Sequence, residues 1–201
     1  IEVLYGKDGT PMNKKCNLYR LSSTGNIVEK REDIRYTSAT LYGGLNYDTD
    51  TTSMVAINRD YVSTPSYQRG RLLGESVQTR AGWKFLPGTA KEVRNVRDIL
   101  GRNKIETTTY TDEVGTEESF KALSGNSTPI IHIATHGFYL EDKNARKEGL
   151  YEFEYSDIVQ TISPLKRSGL IFSGGQHAWL GRDIPEGIDD GILTAEEISG
   201  M

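Results

Sequence analysis

The stretch Pro129-Ile130-Ile131-His132-Ile133-Ala134-Thr135-His136-Gly137 decides the fold. Its first six residues are almost all apolar, the pattern of a short strand buried on both faces, as in a parallel sheet. A histidine and a glycine follow at once. In open α/β sheets, ligands bind beyond the carboxyl ends of the strands, and His136 stands there. An imidazole in that position is placed for acid–base work near neutral pH. Gly137 removes a side chain beside it and lets another backbone or a substrate approach. Its amide is expected to be free to face an oxyanion, because the strand ladder has ended. A histidine that merely bonds a neighbouring loop remains the alternative.

Outward from this strand, helices and strands alternate. Thr89-Ala90-Lys91-Glu92 reads as a capping box that opens a helix. Val93, Val96, Ile99 and Leu100 form its apolar stripe, and Gly101 is expected to end it. Ile105 to Tyr110 reads as a Thr-rich strand, and a helix follows from about Thr116 to Leu123, stopped by Gly125. Ser168-Gly169-Leu170-Ile171-Phe172-Ser173 reads as another short buried strand, and Asp190-Gly191 as a turn. Thr194-Ala195-Glu196-Glu197 is a second capping box.

Earlier in the chain, residues 37–47 read as a strand bent or bulged at Gly43-Gly44. An entry segment and a β-hairpin occupy residues 1–36, with its turn at Ser22-Ser23-Thr24-Gly25. The polar stretch 48–82, which contains Pro65, reads as a long surface excursion, and 140–160 as a charged insertion. The expected class is α/β: three layers with a mainly parallel sheet, preceded by a β-hairpin.

Composition removes several function classes. The chain has 201 residues, with 24 Lys+Arg against 28 Asp+Glu. A net charge of -4 argues against a dedicated nucleic-acid binder, which needs a local excess of cations. No apolar run approaches the roughly 18 residues of a membrane span. A single cysteine excludes an internal disulfide framework and a cysteine-rich zinc site. No phosphate-cradling glycine loop and no G-x-S-x-G elbow is present.

The other candidate groups have plainer readings. His132 lies inside the strand, where a neutral, hydrogen-bonded imidazole is ordinary. The His132–His136 spacing imitates a zincin pair, but Ile133 stands where a Glu is required, so metal binding is rejected. His177 falls in a loop after a strand and reads as a loop cap or surface group. Cys16 follows Lys14 and Lys15 and precedes the hairpin, far in sequence from His136. It reads as an inert thiol.

The run Ile130-Ile131-His132-Ile133-Ala134-Thr135-His136-Gly137-Phe138-Tyr139 resembles the histidine motif of CHAT domains. These are caspase-like cysteine peptidases often found after tetratricopeptide repeats. Leu21–Gly25, Leu86–Thr89 with Glu92, Ser168–Ser173 and Asp190–Ile198 resemble further family segments in the same order. The resemblance covers roughly residues 17–201 and implies a His–Cys dyad that cleaves polypeptides. His136 would be the general acid/base and Gly137 a backbone oxyanion donor. The family's nucleophile follows the segment matching Leu193–Met201, so it is expected after Met201 and the domain is expected to be incomplete at its C-terminus. Cys16 does not fit, because the family order is His and then Cys. No metal or cofactor is implied. The partners implied are a polypeptide substrate and either a repeat region of the same parent chain or a regulatory protein, with no nucleic acid or membrane. The stretches 48–82 and 140–160 are candidate regulatory loops by length and polarity. A non-catalytic caspase-like scaffold is the rival reading. An unrelated α/β hydrolase is weaker, since no Ser or Asp nucleophile motif accompanies His136.

Overall fold

A computed structural model describes residues 36–61, 81–140 and 164–201, together with Asp8, Thr10 and Lys14. The chain divides into two compact units, residues 1–35 and 36–201. In the first, the Thr10 amide donates to Asp8 Oδ1 at 3.2 Å. The expected hairpin, Cys16 and most of the 140–160 insertion lie outside the described residues.

The second unit is built on a parallel sheet of three strands. Strand β1 (Ser38–Leu45) is central, flanked by β2 (Glu106–Asp112) and β3 (Ile130–Ala134). Both neighbours run parallel to it, with Leu41 opposite Thr109 on one side and His132 on the other. The alternation of β1 explains its central place. Ala39 and Leu41 point to one face, where they pack with Val93 of helix α2 (Pro87–Arg102) and with Ala134. Tyr42 points to the other, stacked on Tyr110 at 4.7 Å and set edge-on to Phe120 and Phe172. Three layers result: α2, the parallel sheet, and a layer holding helix α3 (Glu117–Lys121) and the segment around Phe172. The paired glycines set the spacing of the first two. A Cβ at Gly43 would fall 2.6 Å from Val93 Cγ2, and Gly44 has φ +67 and lies against Ala90. The register of β1 with β2 shifts between Tyr42 and Leu45, the bulge the glycines predict.

Several elements depart from the sequence reading. The short strand read at 168–173 does not join the parallel sheet. Instead β5 (Ser168–Ile171) runs antiparallel between β4 (Gly137–Tyr139) and β6 (Ile192–Thr194), in a second sheet of three strands. An apolar run of this length pairs equally well in either direction, so composition did not choose. Strand β3 is not buried on both faces. Ile130, His132 and Ala134 share the face toward α2 and Ile133 joins the aromatic core, but Ile131 is 40% exposed. Among the described residues β3 pairs only with β1 and forms an edge of the sheet.

Helix α2 begins three residues earlier than predicted, at Pro87 with Leu86 as its N-cap. Thr89 is therefore inside the helix. Its hydroxyl donates to the Leu86 carbonyl at 2.8 Å and accepts the Gly44 amide at 2.9 Å. Glu92 reaches His132 rather than the helix start. Gly101 does not stop α2, which ends after Arg102. Within the polar stretch 48–82, residues Thr51–Asn58 form helix α1. Asp50 caps it, accepting the Thr52 and Ser53 amides at 3.0 Å each. Only Met54 and Asn58 of α1 are buried, so it carries no apolar stripe by which to be recognised. Helix α4 (Gln176–Trp179) follows β5, and α5 (Ala195–Ser199) opens with the predicted Thr194–Glu197 capping box, both arms present.

Helix α3 buries charge. Glu117 is 1% exposed, and Lys121 Nζ lies 2.6 Å from its Oε1, 3.2 Å from Asp189 Oδ2 and 3.4 Å from Glu197 Oε1. One ammonium therefore joins α3, the loop before β6 and the cap of α5. Burial, with Asp190 adding to it, pushes the Glu117 carboxyl well above the usual carboxylate range against the pull of Lys121. Glu118, whose Oε1 accepts the Asp189 amide at 2.8 Å, is pushed by burial from 4.5 to about 7.

Candidate active site

The turn Thr135-His136 connects β3 to β4, so His136 stands at the carboxyl end of a parallel strand, as the sequence predicts. The turn is fixed from both sides. Thr135 Oγ1 donates to the Ile171 carbonyl at 2.5 Å, and the Ile171 amide donates to the His136 carbonyl at 2.9 Å. With its proton so committed, Thr135 Oγ1 accepts from the Tyr47 hydroxyl at 3.0 Å. The Tyr47 oxygen in turn accepts the His136 main-chain amide. Burial raises the Tyr47 pKa, and these bonds oppose that rise. The phenol therefore stays protonated near neutral pH and keeps its donor.

The half-buried His136 ring is held by three neighbours. Its Nε2 lies 2.8 Å from the Lys84 carbonyl oxygen. A carbonyl only accepts, so Nε2 carries the proton and the neutral ring keeps its lone pair on Nδ1. The Tyr47 ring packs on it at 5.0 Å between centroids and the Trp83 ring at 4.9 Å. Trp83 continues to Trp179 at 4.7 Å, and Trp179 to Phe138 at 5.5 Å. Trp179 Nε1 also donates to the Ala81 carbonyl at 3.3 Å. The segment 81–84 is thus anchored on α4 and delivers both a ring and a carbonyl to His136.

Gly137 does not lie beyond a ladder, as expected; it opens β4, opposite Leu170 of β5. The bonds from Ile171 to His136 and from Leu140 to Arg167 set the alternation of that pair. Gly137 falls at the non-hydrogen-bonded position between them, so its amide turns away from β5. The orientation suits an outside acceptor, but the reason is register rather than the end of pairing. A Cβ at Gly137 would meet only the Gly169 carbonyl at 3.5 Å and Leu170 Cδ2 at 3.8 Å. Packing within the described chain therefore does not demand glycine there.

The other histidines stay apart from this arrangement. His132 points to α2, its Nε2 3.0 Å from Glu92 Oε1. His177 lies in α4 rather than a loop; its amide donates to the Gly174 carbonyl and its carbonyl accepts the Arg182 amide. Sequence reasoning missed Lys84, Tyr47 and Trp83, and gave Thr135 no role of its own within the Thr135-His136-Gly137 motif. Lys84 acts through its backbone, which leaves no trace in side-chain identity. Tyr47 lies two residues past β1, and Trp83 four residues before α2. Both are places where an aromatic group can reach a neighbouring strand end.

A family model described as CHAT domain matches residues 1–201, the whole length given. No curated protein matches the chain, and no solved structure does. The family carries a caspase-like α/β fold, in agreement with the parallel sheet and its flanking helices. With its histidine at the end of the third strand, the chain belongs to the CHAT domain family of caspase-like, peptidase-related domains.

Proposed function

We propose that this chain is the histidine-bearing portion of a caspase-like cysteine endopeptidase that cleaves polypeptides with a His–Cys dyad. The observation that carries the reading is the His136 imidazole at the end of β3, tied through Nε2 to the Lys84 carbonyl and so left with a basic Nδ1. The nucleophile is a cysteine on a strand that follows α5 in the parent chain and pairs parallel with β3. The edge of β3, unpaired among the described residues, and the exposed Ile131 support that pairing. Cys16 is not the nucleophile, since the family order places the thiol after the histidine.

In this reading Nδ1 takes the thiol proton, and the thiolate adds to the scissile carbonyl carbon. The new C–S bond sends the carbonyl electron pair to oxygen, where the Gly137 amide donates to it. The oxyanion collapses and the C–N bond breaks. The imidazolium gives its proton to the departing amine. Water, deprotonated by Nδ1, then attacks the thioester and releases the acid and the thiol.

The test uses the full-length protein and a library of internally quenched peptides. Hydrolysis of a subset, abolished by a thiol alkylating agent, is expected. Hydrolysis that persists after complete alkylation contradicts the dyad. A protein that cleaves no member of the library, with or without its regulatory partner, is the non-catalytic scaffold instead.

A further inference from the structure

The His136 ring has more contacts than a general base needs. Two aromatic rings pack tilted against it, Tyr47 at 5.0 Å and 54° and Trp83 at 4.9 Å and 40°. Neither is a loose surface ring. Tyr47 is 2% exposed, and its hydroxyl joins Thr135 and the His136 amide. Trp83 leans on Trp179, and the same segment is pinned by the Trp179 indole bond to Ala81. The bond from Nε2 to Lys84 fixes one point of the imidazole but not the tilt of its plane about that point. Rings packed against the imidazole restrict that tilt.

We propose that Tyr47 and Trp83 are positioning residues, an aromatic clamp that holds the plane and tautomer of the His136 imidazole for proton transfer. The inference rests on His136 being the acid/base of the proposed peptidase. Trp83 serves two ends, since its place in the chain also sets the Lys84 carbonyl next to it. Loss of the Trp83 ring therefore frees the plane and slackens the Nε2 bond together. Tyr47 acts by another route, holding the main chain of His136 through its hydroxyl. A misplacement on the order of 1 Å in such a group costs up to about a hundredfold in rate.

The test compares the native full-length protein with Trp83→Leu, Trp83→Phe and Tyr47→Phe, using ¹³C-labelled histidine and His136→Gln to assign the resonance. The native ring is expected to give a single Nε2–H tautomer, with its ring protons shifted upfield by the two aromatic rings. In Trp83→Leu the upfield shift collapses and the tautomers mix. The kcat falls about ten- to a hundredfold while KM holds. Trp83→Phe restores the signature and most of kcat. Tyr47→Phe keeps the ring-current shift but lowers kcat. An unchanged His136 resonance in Trp83→Leu overturns the clamp, and so does an altered resonance with unchanged kcat, or failure of phenylalanine to rescue. If the native protein hydrolyses nothing, the peptidase reading falls and the resonance alone decides the clamp.

Discussion

Alanine in place of His136 removes peptide hydrolysis from the full-length protein, a loss on the order of 10⁴-fold in kcat. Both halves of the proposed reaction pass through this ring. It generates the thiolate, protonates the leaving amine and activates the water that follows. The fold survives the change. The ring is half-buried and gives up one hydrogen bond, to Lys84, and the contacts of two aromatic rings. The bond contributes about 1 kcal/mol. The β3–β4 turn itself is held by Thr135, Tyr47 and the Ile171 amide, none of which needs the imidazole. Denaturation midpoints and hydrolysis rates, measured on the same preparations, check both statements. Turnover that stays within a few fold of native denies His136 its role.

Lys121→Met destabilises the fold by about 3–5 kcal/mol at pH 8 and by much less at pH 5. Methionine keeps the unbranched stem but removes the ammonium that faces Glu117, Asp189 and Glu197. Burial alone would pull the Lys121 pKa down, but those carboxylates outweigh it and raise it, so the native side chain is charged at both pH values. The pH dependence comes from the carboxyls. Glu117 and Glu118 both have folded pKa values raised above their ordinary 4.5, Glu118 to about 7. A raised carboxyl pKa means that the folded state holds the proton more tightly than the unfolded chain. For Glu118 that stability is complete below about 4.5 and is lost as pH rises through about 7. At low pH a proton held by the raised Glu117 carboxyl takes over the neutralising task of the missing ammonium. As pH rises that proton is harder to keep, and the cluster is left without its cation. Denaturant titrations at the two pH values check this. Equal destabilisation at both would show that the three carboxylates do not act through Lys121.

The parallel sheet and the placement of His136 could be read from the sequence because one short run carries both. Its apolar residues specify a strand, and His136-Gly137 falls where such a strand must end. The Thr194 capping box was equally legible, since it depends only on local spacing. What escaped was non-local. The direction of β5 depends on partners far along the chain. The start of α2 shifted because Thr89 found a better acceptor at Leu86 and a donor at Gly44. Nothing in the local sequence of the predicted helix 116–123 marks Glu117, Glu118 and Lys121 as buried. They are buried because Lys121 and the Asp189 amide meet the carboxylates there. The groups that orient His136 were hidden for the same reason. One is a backbone carbonyl 52 residues away in sequence, and the others are aromatic rings recognisable only once the strand end is located.

The most direct measurement of the central claim is the mapped site of covalent labelling in the full-length protein. A peptidyl electrophile built on the best-cleaved library sequence should modify one cysteine, on the strand predicted to follow α5 and pair with β3. His136→Ala should suppress that labelling while leaving Cys16 as unreactive as in the native protein. Labelling at Cys16, or labelling of the later cysteine that is indifferent to His136, would contradict the dyad.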